Sequence, residues 1–133
     1  MRLAPIVLSL LAIGSIALVA AQEKPVSTTV AKISDSPKTF DNKKVTLSGT
    51  VAEFQQRTSR AGNDYVLFVL RDGGKSVKVY GFGKPNPPIK NGMKVEITGI
   101  YRVEKKQGDQ VFKNEVDISP EREKPLVIKI LSK

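Results

Sequence analysis

The sequence has 133 residues, 22 Lys and Arg against 13 Asp and Glu, a formal net charge of +9, and neither His nor Cys. Without those two residue types the chain can form no disulfide, no Ser–His or Cys–His nucleophile and no zinc or copper site with nitrogen or sulfur ligands. The positive charge favours anionic partners through long-range attraction, and it equally suits a basic exported protein that needs only solubility.

Residues 1–21 read as an export signal. Arg2 gives a short positive start, an almost unbroken apolar run follows from residue 3 to residue 21, and Val19-Ala20-Ala21 closes it before polarity returns at Gln22-Glu23-Lys24. Small residues at that point are what signal peptidase accepts. A spanning helix takes about 20 apolar residues, so a retained anchor is the alternative, and with it the membrane would become a partner. A lipid-modified cysteine is excluded. Cleavage would leave about 110 residues, enough for one domain, and a chain of that size buries about two thirds of its unfolded surface without staples. So read, the protein is periplasmic or secreted.

Residues 22–42 form a polar leader and a short covering segment, with Val30, Ile33 and Phe40 apolar and Pro37 blocking a long helix. From residue 43 the hydrophobic period becomes two. Val45, Leu47, Gly49 and Val51 alternate with Thr46, Ser48 and Thr50, and a glycine inside a strand marks a bulge or sharp coil. Glu53-Phe54 breaks the phase, and residues 55–63 read as an exposed loop. Residues 64–72 make the strongest strand, Asp72-Gly73-Gly74-Lys75 a turn by chemistry, and residues 76–82 the second arm of a hairpin. Pro85, Pro87 and Pro88 exclude a helix of useful length after it. Alternation resumes over residues 94–104 with Gly99, a polar turn is expected over residues 105–110, and Phe112, Val116 and Ile118 place a last strand in phase. Residues 119–133 form a tail whose apolar stretch, residues 126–131, is an edge strand or a docked end. Five strands joined by loops, two of them curled by glycine, specify an all-β barrel over residues 43–118.

The runs KKVTLSGTV (43–51), NDYVLFVLRDG (63–73), SVKVYGFG (76–83) and NGMKVEITGIY (91–101) carry a resemblance. Their succession is similar to the OB-fold, a five-stranded Greek-key barrel, in its nucleic-acid-binding forms of the anticodon-binding and replication-protein type. It also resembles the small periplasmic bacterial OB-fold proteins, which share an export signal and lack cysteine. A further likeness is to the haem chaperone of cytochrome c maturation. That family attaches haem through a histidine, so haem carriage is excluded here as that family does it. The resemblance implies a binding module for an anionic chain such as single-stranded nucleic acid. The alternative is an envelope or stress adaptor that binds a protein or a cell-wall polymer.

OB barrels take ligands across the second and third strands, between the loop joining strands one and two and the loop joining strands four and five. With Phe68, Leu70, Val77 and Val79 inward, Tyr65, Leu67, Val69, Lys78 and Tyr80 face outward. Aromatic rings offer stacking platforms and cations neutralise phosphates. The candidate binding residues are therefore Tyr65, Leu67, Lys78 and Tyr80 on the face. Arg57 and Arg60 are expected on the first loop, Arg71 at the hairpin end, and Lys105 and Lys106 on the last loop. Tyr65 and Tyr80 also read as cross-strand partners that stabilise the sheet, and Phe82 reads as a core plug. No catalytic residue, metal site or cofactor is expected. Gly81-Phe82-Gly83-Lys84 lacks the spacing of a phosphate loop, and Asp64 and Asp72 flank turns, where Asp serves local hydrogen bonding.

Overall fold

The computed structural model describes residues 24–122 and 124–133, so the expected export signal over residues 1–21 lies outside the described residues. Among the described residues seven strands follow in chain order: β1 (Val26–Ser27), β2 (Lys44–Thr58), β3 (Asp64–Asp72), β4 (Lys75–Phe82), β5 (Lys94–Gln107), β6 (Gln110–Asp117) and β7 (Lys129–Ser132). Two short helices, α1 (Val30–Asp35) and α2 (Pro37–Phe40), lie between β1 and β2. The sheet order is β1-β2-β3-β4-β6-β5-β7, and a further β2–β5 pairing closes β2, β3, β4, β6 and β5 into a barrel. β6 runs parallel to β4 and antiparallel to β5. This closed Greek key is an OB-fold.

Closure depends on β2 changing partners along its length. Its first half pairs with β5, from Lys44↔Ile100 to Thr50↔Lys94, and from Thr50 onward it pairs with β3. Gly49 stands at the changeover, where a Cβ would lie 2.6 Å from the Arg71 carbonyl oxygen. Gly99 on β5 meets the Asp117 backbone just as closely, so a side chain at either position would push two barrel strands apart. Past the changeover, a bulge between Ala52 and Gln55, with Glu53 at φ 53°, re-phases β2.

The interior is filled by alternate residues of every barrel strand, among them Val45, Leu47, Val66, Phe68, Leu70, Val79, Ile97, Tyr101 and Val116, all buried. Helix α1 closes one end. Thr29 caps it by accepting the Lys32 N–H at 3.1 Å, and Val30 and Ile33, one turn apart, are fully buried. The connection over residues 83–93 holds no helix. Gly92 N–H donates to the Val51 carbonyl and Val51 N–H to the Met93 carbonyl, both at 2.9 Å, and the Asn91 side chain accepts the Phe54 N–H at 2.8 Å. The connection is thereby fastened to the bulge in β2. In the tail, Leu126 and Ile128 dock in the core and β7 adds to β5.

Two expected loops are strand. Residues 55–58 continue β2, with Arg57 opposite Tyr65, and the remaining turn is tightened by the Ser59 N–H donating to the Asn63 carbonyl at 2.8 Å. The expected polar turn over residues 105–110 shrinks to Gly108-Asp109, with Lys105 opposite Phe112 and Lys106 opposite Val111. In both places polar residues conceal a ladder that is satisfied by backbone hydrogen bonds alone.

Candidate nucleic-acid interface

Tyr65 and Leu67 on β3 stand opposite Phe82 and Tyr80 on β4. Because side chains alternate across a strand, all four lie on the outer face while Val66, Phe68, Val79 and Gly81 point into the barrel. They are half-buried, not free in solvent. The cover comes from the extended β5–β6 hairpin on one side and from the β2 end and its turn on the other. Between them runs a groove of about 510 Å³ lined by Arg57, Ser59 and Asn63, by the four face residues, by Lys105, Gln110 and Phe112, and by Glu115 and Arg122.

Aromatic rings and cations meet in this groove. Tyr65 and Tyr80 are diagonal neighbours with ring centroids 6.0 Å apart and planes tilted by 37°. Lys105 Nζ sits 4.7 Å from the centre of the Tyr80 ring, and the Arg122 guanidinium carbon sits 5.0 Å from that of Phe82, both within cation–π range. The Phe82 backbone is held by its N–H donating to Ser119 Oγ at 2.6 Å. Ser119 is in turn oriented by its own N–H donating to Asp117 Oδ1 at 2.8 Å. Burial raises the Tyr80 phenol above its ordinary value, with Arg122 opposing the shift.

One acid lines the groove wall. Glu115 on β6 is only 5% exposed, and its ion-pair partner among the described residues is Lys105, with Nζ 3.8 Å from Oε1. Burial pushes its carboxyl above the ordinary carboxylate value, and Lys105 pulls in the opposite direction without cancelling the shift.

The structure gathers five of the nine sequence-predicted residues, Arg57, Tyr65, Leu67, Tyr80 and Lys105, around the groove. Arg60 lies on the turn beside it and does not line it. Arg71 is at the far end of the β3–β4 hairpin, ion-paired at 3.2 Å with Glu53. Lys78 and Lys106 are exposed outside the lining. Arg57 stands on a strand and not on a loop, as do Lys105 and Lys106.

Sequence reasoning missed several lining residues. Phe82 is not a core plug; it shares the outer face with Tyr80, a placement that the alternation Lys78, Tyr80, Phe82 already implied. Phe112 leaves the core phase that it was expected to share with Val116, because Asn114 between them takes φ 56° and turns the strand. Glu115 required the β4–β6 register, and Arg122 the path of the tail. No signal in the sequence gives either.

No protein-family model matches the sequence, and no curated protein matches it. Solved structures do share its fold. The chain is similar to a putative aspartyl-tRNA synthetase from Leishmania major Friedlin, at 15% identity and a TM-score of 0.54, over 84% of this chain and 21% of that one. It is similar to yeast Stn1 and Ten1 at 12% identity and a TM-score of 0.58, over 84% of this chain and 65% of that one. The second OB-fold domain of replication protein A from Methanococcus maripaludis aligns at 16% identity and a TM-score of 0.45, over 70% of this chain and 88% of that one. The first two likenesses show the fold that the strand order defines. This chain spans less than two thirds of the length of either of those two.

Proposed function

We propose that this protein is a non-catalytic OB-fold module that binds single-stranded nucleic acid in the groove over β3 and β4. The observation that carries the reading is the groove itself: Tyr65, Tyr80, Phe82 and Phe112 share it with Arg57, Lys105 and Arg122, at the place where this fold takes oligonucleotides. Rings stack on bases of any sequence, and the cations neutralise the phosphates between them. The net charge of +9 adds long-range attraction for a polyanion. That the structures it resembles include an aminoacyl-tRNA synthetase supports the same reading. Export belongs to the proposal on the strength of residues 1–21, and it directs the protein to nucleic acid outside the cytoplasm.

The test is fluorescence anisotropy with a labelled single strand of about 12 nucleotides, within the usual span of one OB barrel, titrated at several salt concentrations. Affinity should fall with rising salt by about 0.7 log units per log unit of salt for each phosphate contacted. Arg57→Ala should reduce that slope by about one contact. If no strand binds at low salt, the reading is wrong, and an envelope protein or a cell-wall polymer becomes the ligand to seek.

A further inference from the structure

We propose that Glu115 makes the groove select bases that present a ring amino group over bases that present a carbonyl at the same position, with cytosine against uracil as the simplest pair. The inference rests on the nucleic-acid reading above and says which strands the groove prefers.

A groove that only collected phosphates would gain nothing from an acid in its wall. Glu115 is 5% exposed and borders the space between the rings of Tyr65, Tyr80 and Phe112. Its one ion-pair partner among the described residues, Lys105, is 3.8 Å away, well beyond the roughly 2.8 Å of a charge-assisted hydrogen bond. The same Nζ stands 4.7 Å from the centre of the Tyr80 ring. The ammonium is therefore shared between the ring face and the carboxylate, and bonded closely to neither.

A base stacking on Tyr80 claims the space that the ammonium holds. Lys105 then swings to the phosphate backbone of the incoming strand, where its charge is best met. This leaves the carboxylate of Glu115 in a groove from which the base has expelled water, with Lys78 and Arg102 acting on it only from beyond ion-pair distance, and an acceptor without a hydrogen bond there is costly. Cytosine N4 presents an amino donor that satisfies it. Uracil O4 presents a second acceptor, so the acid and the carbonyl face each other without a proton between them. A site built around a hydrogen bond rejects the analogue that cannot make it. The cations Arg57 and Arg122 read phosphates alike in every sequence, so the preference falls to Glu115.

Oligo-dC and oligo-dU of about 12 nucleotides, each labelled at one end, separate the possibilities, since the two strands differ in the base edge and not in the backbone. The wild-type protein should bind oligo-dC about tenfold more tightly than oligo-dU, the discrimination typical of one well-placed base contact. Glu115→Gln, whose amide can both donate and accept, should bring the two affinities within about threefold of each other, well under the discrimination of one base contact. Equal binding of both strands by the wild type overturns the inference and leaves the nucleic-acid reading standing, as does a preference that survives Glu115→Gln. Failure of both strands to bind at low salt overturns both together. Should Glu115→Gln not fold, Glu115→Ala, which also removes the carboxylate acceptor, takes its place with the same two outcomes. A purely structural role for Glu115 would change overall affinity without moving that ratio.

Discussion

The β3–β4 hairpin has two faces made by the same two strands, and they are put to opposite uses. Inward, Val66, Phe68, Leu70, Val77 and Val79 are all sealed from solvent, at 3% exposure or less, and α1 closes the barrel over its end. Outward, Tyr65, Leu67, Tyr80 and Phe82 are left half-covered, with Lys105 and Arg122 laid over two of the rings. The inner face is satisfied by the rest of this chain. The outer face keeps ring surface whose cover is two long cationic side chains, Arg122 exposed and Lys105 tucked against Glu115, set over the rings of Phe82 and Tyr80. A large apolar surface that its own fold only half-covers is where binding is expected.

Substitutions at matched positions on the two faces should separate stability from binding. The largest effect belongs inside. Phe68→Ala removes a ring that packs against Phe54 at a centroid distance of 6.3 Å, and the cavity left in a barrel interior should cost about 3–5 kcal/mol. A urea titration followed by circular dichroism should show the midpoint falling sharply with the slope unchanged. A loss under 1 kcal/mol, below the range for such truncations, would mean that the barrel is not closed over Phe68. Tyr80→Ala, on the other face, should cost less in the same titration and weaken single-strand binding by about 1–3 kcal/mol, the worth of one stacked base. If Tyr80→Ala unfolds the protein as readily as Phe68→Ala, the outer ring is a structural member and the two faces do not differ in purpose.

Much of the inner face is legible in the sequence. Alternation assigned Phe68, Leu70, Val77 and Val79 to the interior, and the glycines at 49 and 99 announced the coiled strands that closure needs. The groove is legible only in part, for a physical reason. Its central residues, Tyr65, Leu67 and Tyr80, follow from period two on a single hairpin, which is local information. Its walls come from register. Lys105 faces Tyr80 because β5 and β6 extend as a ladder of polar residues, Phe112 turns outward at Asn114, and Glu115 arrives through a parallel pairing with a strand more than thirty residues earlier. Polar strands carry no hydrophobic pattern to reveal them, so Arg57 and Lys105 read as loop residues until the pairing is known.

The smallest expected effect concerns the acid on the boundary between the two faces. Burial holds the Glu115 carboxyl above its ordinary value of 4.5, against the pull of Lys105, Lys78 and Arg102 and with the push of Asp117; Lys78 stands opposite it on β4 and Arg102 on β5. A folded-state value above the unfolded one means that folding weakens the ionised form of Glu115 relative to the unfolded chain. Its ionisation therefore costs stability at every pH above the folded value. The cost fades as pH falls through that value and is gone below 4.5. Glu115→Gln removes the ionisable group and keeps the shape. The variant should melt above the wild type at neutral pH, and the gap should close as the buffer is taken down through the carboxylate range. A gap that stays constant with pH would show that the Gln gains by packing and not by relief of a buried charge. A variant that melts lower at neutral pH would show that the attraction of Lys105 outweighs the burial, and that Glu115 belongs with the satisfied interior and not with the waiting outer face.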